Sequence, residues 1–138
     1  MIKSPEYGEN YYYLNIFGNI CMNSWSDSPE DQMLYETNNF FRKKKEAEFA
    51  SERFNVINLL RRYANTHNEE IMWHDPNQNK YYIECFRSKN QKSYLIISDT
   101  CFFENIGNVY FSSKRLAEEA ILEIGEDKIL AYVFGAEV

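Results

Sequence analysis

Lys43-Lys44-Lys45-Glu46-Ala47-Glu48-Phe49-Ala50-Ser51-Glu52-Arg53-Phe54-Asn55-Val56-Ile57-Asn58-Leu59-Leu60-Arg61-Arg62-Tyr63-Ala64-Asn65-Thr66 decides the fold. It is rich in Ala, Glu, Lys, Leu and Arg, and neither Gly nor Pro interrupts it, so it predicts one long helix. On a helical wheel Ala47, Ala50, Phe54, Ile57 and Ala64 share one stripe. Phe49, Val56, Leu59, Leu60 and Tyr63 share another, roughly opposite. Lys44, Glu48, Asn55, Asn58 and Arg62 make the narrow polar strip. A surface helix usually has a single apolar stripe, so this one is expected to be covered twice, by its own fold or by a second copy in a homodimer.

Upstream of the helix, Tyr11-Tyr12-Tyr13-Leu14-Asn15-Ile16-Phe17 and Ile20-Cys21-Met22, leading to Trp25, flank Gly18-Asn19. Two β-rich runs about Gly-Asn predict a hairpin with a two-residue turn. Residues 26–37 read as an acidic connection broken by Pro29. Downstream, residues 67–79 read as a polar loop with a turn at Asp75-Pro76-Asn77. A second hairpin follows, Tyr81 to Phe86 and Ser93 to Ile97 about a turn at Arg87 to Lys92, and then a short strand at Val109 to Phe111. Ser112 or Ser113 is placed to cap a helix whose stripe is Leu116, Ala117, Ala120, Ile121 and Ile124 and which Gly125 ends. A short element, helix rather than strand, is expected from Asp127 to Phe134.

The halves echo each other. Tyr11-Tyr12 and Tyr81-Tyr82 are 70 residues apart, as are Phe41 and Phe111, Lys44 and Lys114, and Ala47-Glu48 and Ala117-Glu118. The expected fold is therefore α+β: antiparallel hairpins with two main helices in one domain, 1–138, with a pseudo-twofold ββ(β)α repeat over 10–66 and 80–134.

Twenty-three aromatic residues in a chain of 138 supply too much apolar area for a disordered protein. No apolar run is long enough to span a membrane. The start of the chain lacks the apolar stretch of a secretory signal, and Cys21, Cys85 and Cys101 include no close pair. Together these point to free thiols in a reducing cytoplasm. The net charge of −6 is uneven: residues 1–40 carry −5, residues 41–67 carry +4 and residues 68–138 carry −5.

Chemistry-bearing patterns are sparse. His67, His74 and Asp75 lack metal-site spacing, and no phosphate-binding glycine loop, nucleophile elbow or zinc-protease motif occurs. Glu69-Glu70 and Glu118-Glu119 are sequence neighbours whose side chains diverge. The chain is read as a non-enzyme without cofactor or metal. Two contact surfaces are candidates. Trp25 and Tyr35 with Asp27, Glu30 and Asp31 form an aromatic, acidic patch suited to a protein partner. Arg42, Lys43, Lys44, Lys45, Arg53, Arg61 and Arg62 form a basic stripe that could hold nucleic acid, although the acidic total opposes direct binding.

Two segments carry a family resemblance. One is Trp25…Asp31-x-x-x-Tyr35-x-x-Asn38-Asn39-x-Phe41-x-x-Lys44-x-Glu46-Ala47-Glu48. The other is Val109-Tyr110-Phe111-Ser112-Ser113…Ala117…Ala120-Ile121…Ile124-Gly125-Glu126…Tyr132-x-Phe134-Gly135. In these the chain resembles small proteins of phages and prophages of low-GC Gram-positive bacteria. The resemblance implies an accessory role in the host cytoplasm and supplies no catalytic residues. The expected function is inhibition of a host defence protein by binding, with a CRISPR effector as the favoured target. The alternative is a nucleic-acid-binding accessory of phage replication or packaging.

Overall fold

The computed structural model describes residues 3–88 and 91–135. Among them the fold is α+β, with two antiparallel hairpins: β1 (Asn10–Leu14) pairs with β2 (Ile20–Ser24), and β3 (Lys80–Ser88) with β4 (Gln91–Asp99). Four helices accompany them: α1 (Pro29–Glu36), α2 (Lys44–His67), α3 (Lys114–Ile124) and α4 (Glu126–Lys128). A π-helical turn, Ile129–Val133, follows α4. None of these helices is long and apolar enough to cross a membrane. The chain divides into two compact units, the first ending at Asn55 and the second beginning at Val56.

In the first unit the register Leu14↔Ile20 leaves residues 15–19 as the hairpin loop, in place of the two-residue turn expected at Gly18-Asn19. Asn15 organises this loop, its Oδ1 accepting from the backbone N–H groups of Phe17 and Asn19 at 3.0 Å each. Gly18 has φ +78°, a conformation that costs a residue bearing Cβ. It lies against α2, where the Ser51 hydroxyl donates to its carbonyl at 2.7 Å.

Residues 29–36, expected to be a connection, form α1 instead. Ser28 caps its N-terminus by accepting from the Asp31 N–H, the Asp31 carboxylate reaches back to the Ser28 N–H, and Pro29 occupies the first turn. This reciprocal cap satisfies two N–H groups that a short helix would otherwise leave open. After α1, Asn39 ties the chain to β1: its side chain accepts from Leu14 N–H and donates to Leu14 C=O, both at 2.8 Å.

The second unit has an aliphatic core. Val56, Leu60 and Ala64, at i, i+4 and i+8 of α2, join Ile83, Phe111, Leu116, Ala117, Ala120, Ile121 and Ile129. Three of the five residues of the α2 stripe at Phe49 to Tyr63 are not buried: Phe49, Leu59 and, partly, Tyr63. Of the other stripe, Ala47 and Ala64 are buried while Phe54 is exposed. Within the chain, therefore, both stripes keep exposed positions. Ser113 caps α3 by accepting from Leu116 N–H, the predicted stripe is buried from Leu116 to Ile121, and Gly125 ends the helix at φ +111°. The expected turn forms at residues 75–78, where Asp75 Oδ1 accepts from Asn77 N–H at 2.8 Å. The second hairpin runs further than expected, to Ser88↔Gln91; the tip of its turn, residues 89 and 90, lies outside the described residues.

A local arrangement recurs. Tyr12 exchanges two backbone hydrogen bonds with Phe41, and Tyr81 does the same with Phe111. In each case a helix begins three residues after the phenylalanine. The expected short strand at residues 109–111 is reduced to this one bridge. The tyrosine partners are 69 residues apart and the phenylalanines 70, so the Tyr11-Tyr12/Tyr81-Tyr82 match slips by one residue.

Candidate functional site

The first unit is built on rings. Tyr11 stacks on Phe40 at 4.7 Å between centroids, Trp25 meets Tyr11 and Phe40 edge-on at 6.1 and 5.9 Å, and Tyr35 meets Phe40 at 5.3 Å. Edge-to-face and offset pairs of this kind are the favoured aromatic geometries. One carboxylate is sealed beneath them. Asp31 Oδ1 accepts from the Tyr11 hydroxyl at 2.5 Å, and Oδ2 accepts from Ser26 N–H at 2.8 Å, Ser26 Oγ at 3.1 Å and Ser28 N–H at 3.3 Å. The Tyr11 hydroxyl, with these N–H donors, holds the Asp31 carboxyl well below the usual carboxylate range. Burial, and then the same hydrogen bond, push the Tyr11 phenol up to about 12.

These contacts sort the five residues of the aromatic, acidic patch. Trp25 and Asp31 are buried and build the unit from within; Tyr35 is half-buried; Asp27 and Glu30 are exposed. Asp27 has φ +59°, and its carboxylate accepts from Gln32 Nε2 at 2.9 Å. Beside them lies an open groove of about 430 Å³ lined by Tyr7, Trp25, Tyr35, Asp27, Glu36 and Gln32, with Ser4 and Pro5. Sequence reasoning missed Tyr7 and Glu36. Tyr7 is 84% exposed, and an isolated tyrosine in an N-terminal segment carries no periodic signal.

The residues of the basic stripe are shared between the two units. Arg42 is held by Glu9 at 2.6 Å, donates to the Lys3 carbonyl at 2.5 Å and lies over the Phe40 ring. Lys43, Lys44 and Lys45 are exposed, and Arg53 lies over the Phe49 ring at 4.8 Å. Arg61 and Arg62 belong to the second unit.

No three His, Cys, Asp or Glu side chains among the described residues could together hold a metal ion. Cys21, Cys85 and Cys101 are free and partly buried. The neighbours Glu118 and Glu119 pair separately, with Lys114 at 3.8 Å and Arg115 at 3.4 Å. His67 stacks on Tyr63 at 4.1 Å.

In comparisons with known proteins, no family model, curated protein or solved structure matches the chain.

Proposed function

We propose that this chain is a phage-encoded, non-enzymatic inhibitor that binds a basic host protein in the bacterial cytoplasm, with a CRISPR effector as the favoured target. The observation that carries the reading is the groove of the first unit. Tyr7, Trp25 and Tyr35 offer apolar area with polar tips, and Asp27 and Glu36 add negative charge at the same place. A nucleic-acid-targeting effector presents cationic channels that such a surface complements. The buried network around Asp31 supports the reading indirectly, because Tyr11, which it holds, packs against Trp25 of the groove.

The test is capture of purified effectors by the tagged protein, with and without guide RNA. The expected result is a complex that Tyr35→Ala and Asp27→Lys each weaken about tenfold or more, without loss of the folded signal. Failure to capture any effector, or capture indifferent to both variants, refutes it.

A second reading has its own observation: three consecutive exposed lysines, Lys43 just before α2 and Lys44 and Lys45 in its first turn. It assigns the chain to nucleic-acid binding in phage replication or packaging. A titration against DNA and RNA at rising salt decides it, and affinity without salt dependence would exclude it.

A further inference from the structure

The second unit contains a hollow that the groove-based reading does not use. Its volume is about 180 Å³, and its floor is Leu60, Ile83 and Ile129, all buried. Val109 and Phe134 form part of its wall, and Arg61 is the one charged residue that lines it. Arg61 takes part in no ion pair and no hydrogen bond among the described residues. It also lines a second, more polar depression of about 440 Å³, where Glu104 is the one acid; Asn108 lines both.

Size and charge together specify a ligand. Apolar cavities of about 150 Å³ accept a benzene-sized molecule, so this hollow has room for an apolar body of about six to eight carbon atoms. An arginine at its lining, without a partner among the described residues, offers a planar pair of donors matched to a carboxylate. We propose that the second unit binds an apolar group bearing a carboxylate, the body seated on Leu60, Ile83 and Ile129 and the carboxylate on Arg61. Two sources share this chemistry: a free small acid, and the C-terminal Leu or Phe of a polypeptide. This inference is independent of the proposed inhibitor function.

The test follows the methyl resonances of the full-length protein during titration with 3-phenylpropanoate and with an acetylated tripeptide ending in phenylalanine. Their C-terminal amides serve as the uncharged comparison. Saturable shifts are expected at Leu60, Ile83, Val109 and Ile129. Affinity should fall at least about fivefold for the amides and for Arg61→Gln, a change at an exposed position. Binding of the small acid alone identifies a metabolite-type ligand, and tighter binding of the tripeptide identifies a chain end. No saturable shift at these methyls, equal binding of acid and amide, or indifference to Arg61→Gln each overturns the proposal.

Discussion

Replacing Asp31 with alanine should be among the most damaging single changes in the first unit. Its carboxylate receives the Tyr11 hydroxyl, two backbone N–H groups, the Ser26 hydroxyl and, at 3.4 Å, the Asn23 side-chain amide. Hydrogen bonds to a charged group contribute about 1.5–3 kcal/mol, and a buried hydroxyl left unpaired costs about 1–3 kcal/mol more. Ser26 is exposed and regains water, so the penalty falls on the fully buried Tyr11, whose hydroxyl still accepts from Asn23 Nδ2 at 3.4 Å but whose O–H loses its acceptor. The sum is about 2.5–6 kcal/mol, a large part of the roughly 5–15 kcal/mol that holds a domain together. Asp31→Asn keeps the shape but loses the charge and turns an N–H₂ toward donors, so about 1–2 kcal/mol is expected. The pH dependence has a fixed sign. The Asp31 carboxyl is lowered from 3.8 in the folded protein, so its contribution is complete above that value. It is lost as pH falls below it. The assay is urea unfolding followed by Trp25 fluorescence in a Trp73→Phe background, which isolates the first unit. A penalty below about 1 kcal/mol at pH 7, or a gap between wild type and Asp31→Asn that widens at pH 3, would refute the reasoning.

Tyr11 gives the mirror case. Its phenol is raised from 10.0 to about 12, so its contribution to stability is expected to hold up to pH 10 and decline as pH rises toward 12, and Tyr11→Phe should lessen the decline in alkaline melts, to which the raised Tyr13, Tyr63 and Tyr82 also contribute. Gly18→Ala meets the Phe54 ring at 2.7 Å and forces a positive φ on a residue with Cβ. A loss of about 1–2 kcal/mol is expected, only partly recovered by Phe54→Ala, and an unchanged melting temperature would contradict it. Ala117 is fully buried in the core of the second unit. Ala117→Leu should therefore cost about 1–3 kcal/mol by overpacking, whereas Leu122→Ala, at an exposed position of the same helix, should change a thermal melt little.

Elements with long-range periodicity were legible in the sequence. α2 was expected from Lys43 to Thr66 and runs Lys44–His67, because a breaker-free run of good helix formers has few other options. The α3 stripe and its caps were legible for the same reason. α1 was not. Its eight residues are too few for a periodic signal, and Pro29 reads as a break unless Ser28 and Asp31 are recognised as a reciprocal cap. Gly18-Asn19 suggested a tight turn, but Asn15 satisfies the loop from its other end, and no rule of adjacent residues shows that. The site was legible by residue type and not by role. Trp25, Tyr35 and Asp31 do cluster, yet sequence does not reveal that a carboxylate points inward when its partner is a tyrosine 20 positions away.

The seam between the two units falls between Asn55 and Val56, inside α2 rather than in a linker. A helical backbone has its amides engaged and does not fit the extended cleft of a protease. Limited digestion should therefore spare the seam and nick first in residues 100–109, which lie outside the regular elements and expose Phe102, Phe103 and Ile106. Truncations aimed at separating the units would have to sever a helix in mid-turn, so each half would begin or end on a ragged coil.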